Sequence, residues 1–145
     1  MINYNIYSQK ANYSRACGNV LLGEKYTPLR EKFYGMGKRT FNGINKILIT
    51  SGGTDNYNMM EKILTRLLSV GAYQKIEYYC ILGHFYKNTA SLHKQFDKWK
   101  NVHLLHNVTN MEFYMKNCDI AITAGGTTTY ELCACGIPSI LYTIA

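Results

Sequence analysis

One local pattern occurs twice in this chain: an apolar strand, a glycine pair, a small hydroxyl residue and the start of a helix. The first is Ile47-Leu-Ile-Thr-Ser-Gly-Gly-Thr-Asp55 and the second is Ile120-Ala-Ile-Thr-Ala-Gly-Gly-Thr-Thr-Thr-Tyr-Glu131. Such a turn gathers backbone N–H groups and a helix N-terminus at one point, where an anion, most often a phosphate, is favoured. Two of them suggest a site for a phosphorylated ligand between two strand ends.

The rest of the sequence from Lys46 onward fits a fold that can hold such a site. Lys46–Thr50, Ile76–Leu82, Val102–Leu105, Ile120–Thr123 and Ile140–Ile144 are short apolar runs that read as strands. Between them lie amphipathic stretches. Met59, Met60, Ile63, Leu64, Leu67 and Leu68 recur at helical spacing, with Gly71 as the stop. Leu92, Phe96 and Trp99 mark a second helix. Met111, Tyr114, Met115 and Cys118 mark a third, with Thr109-x-x-Glu112 as its capping box. A fourth helix, from about Thr128 to Cys135, should stop at Gly136 with Pro138 beyond. Alternation of this kind predicts an α/β, Rossmann-like fold: a parallel sheet of about five strands with helices on both faces. Ligands on such sheets bind outside the carboxyl ends of the strands. Both glycine pairs fall on that edge.

Residues 1–38 do not follow the alternation. They are rich in Asn, Tyr and Ser, with Val20-Leu-Leu as a short strand and Pro28-Leu-Arg-Glu-Lys-Phe33 as a short helix opened by proline. The expected organisation is a leading segment over 1–38, its end serving as linker, and an α/β domain over 39–145. No run of about 18 apolar residues is present, so no membrane insertion is expected. The polar N-terminus lacks the layout of a signal peptide, and the expected location is the cytoplasm. Five cysteines without a C-x-x-C pair argue against a disulfide framework and a structural zinc site. The net charge of +7 is spread along the chain rather than clustered. That fits attraction of small anions better than nucleic-acid binding.

The motifs exclude some chemistry. Neither glycine turn continues into Gly-Lys-Ser/Thr, and neither is Gly-x-Gly-x-x-Gly, which lowers ATP hydrolysis and NAD binding in turn. His103 and His106 are three apart near a strand and point to different faces, a poor geometry for a metal, and none is expected. His84 alone among the histidines stands at the ligand edge. No Ser-His-Asp or Cys-His arrangement can be argued. Two acidic residues have two readings each. Glu131 either accepts hydrogen bonds from ribose hydroxyls or closes a capping box with Thr128. Asp55 either caps the first helix, the commoner case, or faces a sugar hydroxyl.

Three segments together resemble the C-terminal half of GT-B nucleotide-sugar enzymes of the glycosyltransferase family 28 type. They are Ile49-Thr-Ser-Gly-Gly-Thr-Asp55, Asn107-Val-Thr-Asn-Met111, and Asp119 through Glu131 followed by Gly136-Ile-Pro138. Asn3-Tyr-Asn-Ile-Tyr7, Leu21-Leu-Gly-Glu-Lys-Tyr-Thr-Pro-Leu-Arg30 and Phe33 are similar, more narrowly, to UDP-sugar hydrolases of pseudaminic acid synthesis and related spore-coat polysaccharide proteins. The resemblance implies a UDP-sugar as ligand and no cofactor. It implies diphosphate contacts at Ser51, Gly52, Gly53, Thr54, Gly125, Gly126, Thr127 and Thr128. It implies ribose at Glu131, with capping as a second role, and uracil against Asn107, Val108 and Thr109. The general base of such enzymes lies in an N-terminal domain that this chain lacks, so no catalytic residue is expected here. The implied activity is release of UDP from a modified amino-sugar nucleotide, in surface polysaccharide or nonulosonic acid synthesis. A UDP-sugar-dependent glycosyltransferase and a stand-alone nucleotide-binding module remain as alternatives. The last strand, with no helix to cover it, is expected to leave apolar surface open to self-association.

Overall fold

The computed structural model describes residues 1–5, 7–8, 13, 18–37, 39–70 and 75–143. Cys17, the helix stop at Gly71 and the last residue of the strand expected over Ile140–Ile144 lie outside the described residues. The chain divides into two compact units, Met1–Glu31 and Lys32–Ala145.

In the first unit, β1 (Ile2–Asn3) pairs in parallel with β2 (Leu21–Leu22), Ile2 opposite Leu21. Gly23 N–H donates to the Asn3 carbonyl at 3.0 Å and extends the pairing. A 3-10 turn covers Glu24–Tyr26, and another begins at Glu31 and ends at Phe33. The helix expected to open at Pro28 is not formed there. Thr27 is extended, with φ −63° and ψ 124°, as the steric demand of a following proline requires.

The second unit carries the alternation. Its elements are β3 (Lys46–Thr50), α1 (Met59–Ser69), β4 (Glu77–Leu82), α2 (Thr89–Phe96), β5 (Val102–His106), α3 (Met111–Asn117), β6 (Ile120–Ala124), α4 (Thr128–Ala134) and β7 (Ser139–Tyr142). All five strands are parallel, in the order β5-β4-β3-β6-β7. β3 is central, with Ile49 opposite Cys80 on one side and Ile122 on the other.

Residue alternation along the strands divides the core in two. Ile47, Ile49, Tyr78, Cys80, Leu82 and Ile122 face one way and bury Met60 and Leu64 of α1 with Leu92 and Phe96 of α2. Leu48, Ile81 and Ala121 face the other way, against Phe33, Met115 of α3 and Leu132 of α4. Covering both faces buries β3 from Ile47 to Thr50, which is why its sequence is continuously apolar rather than alternating. β7 is an edge strand, and Ile140 and Leu141 stay half exposed on it.

The helix ends show where local signals held and where they slipped. α4 stops as its sequence requires. Gly136 takes φ +61°, its N–H donates to the Cys133 carbonyl, and Ile137 N–H reaches the Leu132 carbonyl. This is a Schellman closure, with Ile137 and Leu132 sharing the core beneath it. The box expected from Thr109 to Glu112 is absent. Asn110 holds the cap position of α3 and makes no side-chain capping bond, while Glu112 pairs with Lys32 at 3.3 Å. Among the described residues, no helix is long and apolar enough to cross a membrane.

One polar anchor went unread in the sequence. The Asp119 carboxylate, just before β6, accepts the N–H groups of Asn45 and Lys46, both at 2.8 Å. It thereby pins the start of β3 to the start of β6. Arg39 lies 4.0 Å from the same carboxylate and donates to the Met115 and Lys116 carbonyls at the end of α3. A cation is favoured at that helix end. Asp119→Ala should destabilise the unit by about 1–3 kcal/mol, because two backbone donors lose their acceptor. Urea denaturation should show Asp119→Asn, which keeps one acceptor oxygen, falling between the two.

Candidate functional site

The strand order creates the site. From β3 the chain crosses by α1 to β4 on one side; from β6 it crosses by α4 to β7 on the other. The crevice at such a divergence, outside the strand carboxyl ends, is where open α/β sheets bind ligands. Both glycine turns border it, because β3 and β6 are neighbours and each ends in one.

The turn after β3 is shaped by its own residues and by the loop after β4. Gly52 has φ +80°, a conformation that costs glycine little, and its N–H donates to Thr50 Oγ1 at 3.3 Å. Gly53 and Thr54 are exposed, while Ser51 is buried, its Oγ enclosed without a partner among the described residues. Gly83, the first residue after β4, lies against this turn. A Cβ built on it would sit 2.2 Å from the Gly52 carbonyl oxygen and 2.7 Å from Gly53 Cα. Phe85 N–H then donates to the Gly53 carbonyl at 3.1 Å. The loop after β4 therefore buttresses the turn, and only glycine permits the approach.

The turn after β6 is more open. Gly125, Gly126 and Thr127 are exposed and Thr128 is half-buried. Gly125 N–H is held by the Tyr142 carbonyl at 3.3 Å, and the Thr127 carbonyl accepts from Tyr130. Thr128 opens α4, and the Thr129 N–H donates to the Gly126 carbonyl at 3.1 Å. The cap position is Thr127, without a side-chain capping bond. A box from Thr128 to Glu131 is therefore out of register: Glu131 is the fourth helical residue, half-buried in the first turn.

Asp55 is settled as a cap. Its two carboxylate oxygens accept from Met59 and Met60 N–H, both at 2.8 Å, and it is 8% exposed. Asn58, left-handed at φ 53°, holds the formal cap position, so Asp55 caps α1 from three residues further back. Below the crevice, Tyr86 and Tyr142 pack against the α1/α2 core with their hydroxyls enclosed and unpartnered among the described residues. Burial first, and then the Asp55 charge, pushes the Tyr142 hydroxyl up to about 12, and the same two causes raise Tyr86. Neither ionises near neutrality.

Asn107, Val108 and Thr109 follow β5, the outer strand, so about two strand spacings, roughly 10 Å, separate them from the end of β3. Asn107 is left-handed at φ 49°, and its Oδ1 stands 3.3 Å from Nδ1 of the exposed His84. Val108 packs into the α3/α4 core, while Thr109 is exposed. The remaining histidines separate by face as strand alternation requires. His103 pairs with Glu77 and stacks on Tyr79, and His106 meets His93 of α2. No group of three metal-ligating side chains occurs among the described residues. Burial raises the thiols of Cys80 and Cys118, the latter to about 12, which suits core residues rather than nucleophiles.

Comparison with known proteins agrees with this architecture. Residues 46–144 match the model of the glycosyltransferase family 28 C-terminal domain. An uncharacterized protein of Methanocaldococcus jannaschii is 34% identical over 127 residues, covering 82% of this chain and 26% of its own length. The pseudaminic acid cytidylyltransferase and UDP-2,4-diacetamido-2,4,6-trideoxy-beta-L-altropyranose hydrolase of Helicobacter pylori is 30% identical over 127 residues. That match covers 86% of this chain and 22% of the relative. The chain thus spans about a quarter of the length of these curated relatives.

The buttress beneath the first turn gives a direct test. Gly83→Ala should cost about 1–3 kcal/mol in chemical denaturation, since the added methyl meets backbone that has to shift. Gly53→Ala, with open space and an ordinary φ, should change stability by less than about 0.5 kcal/mol.

Proposed function

This chain belongs to glycosyltransferase family 28 through its C-terminal domain, and on that premise we propose that it is the UDP-sugar-binding half of a hydrolase releasing UDP from a modified amino-sugar nucleotide. The observation that carries the reading is the placement of two glycine turns on adjacent central strands, either side of the switch point. In this reading the diphosphate lies between Ser51, Gly52, Gly53 and Thr54 on one side and Gly125, Gly126, Thr127 and Thr128 on the other. Glu131 holds the ribose hydroxyls. The uracil rests on Asn107, Val108 and Thr109, at a distance from the turns that suits a base joined through ribose to a diphosphate.

The chemistry asks little of this half beyond charge. Water attacks the anomeric carbon, the bond from that carbon to the diphosphate oxygen breaks, and UDP departs carrying the negative charge. Oriented amides and a helix N-terminus stabilise that charge as it develops. The base that takes the proton from water is assigned to no residue of this chain and belongs to a separate N-terminal domain. The Helicobacter pylori relative, whose name includes hydrolysis of a UDP-linked diacetamido sugar, supports this choice of reaction. The description of the matched domain favours a second reading, transfer of the sugar to an acceptor hydroxyl. With the full-length protein, free sugar formed without acceptor supports hydrolysis, and product that requires acceptor supports transfer.

Calorimetric titration of the chain tests the nucleotide assignment. UDP should bind more tightly than ADP, and equal affinity or tighter ADP binding would overturn the uridine reading. Glu131→Gln should weaken UDP binding by about 1–3 kcal/mol, the scale of a lost charge-assisted hydrogen bond. A lowered melting temperature with unchanged affinity would instead make Glu131 a structural residue.

A further inference from the structure

His93 and His106 come together from different elements at a place no motif marks. His93 is on α2, and His106 ends β5 on the sheet face that α2 covers, opposite Leu82 in register. Their Nε2 atoms are 3.1 Å apart. Behind His93, Nδ1 lies 2.8 Å from the carboxylate of Asp97, the C-cap residue that follows α2. A neutral His93 that donates its Nδ1 hydrogen to Asp97 presents Nε2 as a lone pair. His106 Nε2 faces it directly, and in its Nε2–H tautomer donates across the gap.

We propose that His93 and His106 form an open two-histidine site for a divalent transition-metal ion of the zinc type, with Asp97 orienting His93. Two imidazole nitrogens on one tetrahedral zinc, with bonds of 2.0–2.1 Å, stand about 3.4 Å apart. The observed 3.1 Å is close to that separation. The rings are near parallel at 17° with centroids 5.4 Å apart, so they meet almost end to end. Each needs to tilt for both lone pairs to converge on one ion, and both side chains have exposed surface that leaves room for it. The ion takes the place of the bridging proton, which passes to Nδ1 of His106 or to solvent. A carboxylate behind a ligating imidazole fixes its tautomer and raises its basicity. Since no third protein ligand joins the pair among the described residues, the other positions go to solvent. Imidazole ligands select zinc, nickel or copper over magnesium. The bound ion clamps α2 to the end of β5, one residue before Asn107. The site rests on these three side chains and not on the nucleotide reading.

The test is calorimetric titration of the untagged chain with zinc chloride and, separately, magnesium chloride. Zinc should bind at submillimolar concentration and magnesium should not. His93→Ala and His106→Gln should each lower zinc affinity by more than about tenfold, and Asp97→Asn by about tenfold. His103→Ala and Cys133→Ser should leave it unchanged. Thermal unfolding of each variant without metal, together with zinc-induced shifts of the His93 and His106 ring resonances, separates lost ligation from lost fold. Absence of zinc binding up to millimolar concentration, equal binding of magnesium, or wild-type affinity in either histidine variant would overturn the proposal.

Discussion

The pairing of β3 with β6 is the contact on which the rest of the unit depends. These strands are adjacent in the sheet but far apart in sequence, so the pairing carries a large loop-closure cost. Burial on both faces offsets it. Leu48 and Ile49 are wholly inaccessible to solvent, as is Ala121 of β6. Each fully buried leucine or isoleucine contributes about 1.5–3 kcal/mol. Register adds a second constraint. A slip by one residue would exchange the two core faces of β3. It would also pull the Asp119 carboxylate away from the Asn45 and Lys46 amides that it satisfies.

That pairing also places the two glycine turns. The glycine turns sit side by side because the strands preceding them are neighbours and run in the same direction. The rigidity of the first turn comes from outside it, through Gly83 and the Phe85 amide, and from Asp55, which holds the following helix. In the proposed role such fixed dipoles are an advantage, since they need not reorganise when charge develops. The membership of family 28 accords with this arrangement, and the match begins at Lys46, the first residue of β3.

Legibility in the sequence followed the range of the physics. The five strands and four helices were readable because apolar periodicity is local and strong. β3 fell on Lys46–Thr50 as expected, and the Gly136 stop of α4 was realised as a Schellman closure. Caps were less secure. Thr109–Glu112 and Thr128–Glu131 both have the spacing of a box, yet α3 starts one residue later than its box requires and α4 one residue earlier. A shift of one residue at a helix start is small in energy, and packing of Met115 and Leu132 into the core outweighs it.

The sequence by itself determined the class of fold and the position of the two glycine turns at the carboxyl ends of β3 and β6. These depend on patterns spanning fewer than about 20 residues, within reach of helix and strand periodicity. Only the tertiary structure decided that β3 and β6 are neighbours, that Gly83 supports Gly52, that Asp119 joins two strand starts, and that His93 meets His106. His103 and His106 were rightly read as pointing apart, since strand alternation is local. The partner each one finds is not local. It depends on which helix covers which face, and that is set by the handed crossover and by burial summed over the whole sheet.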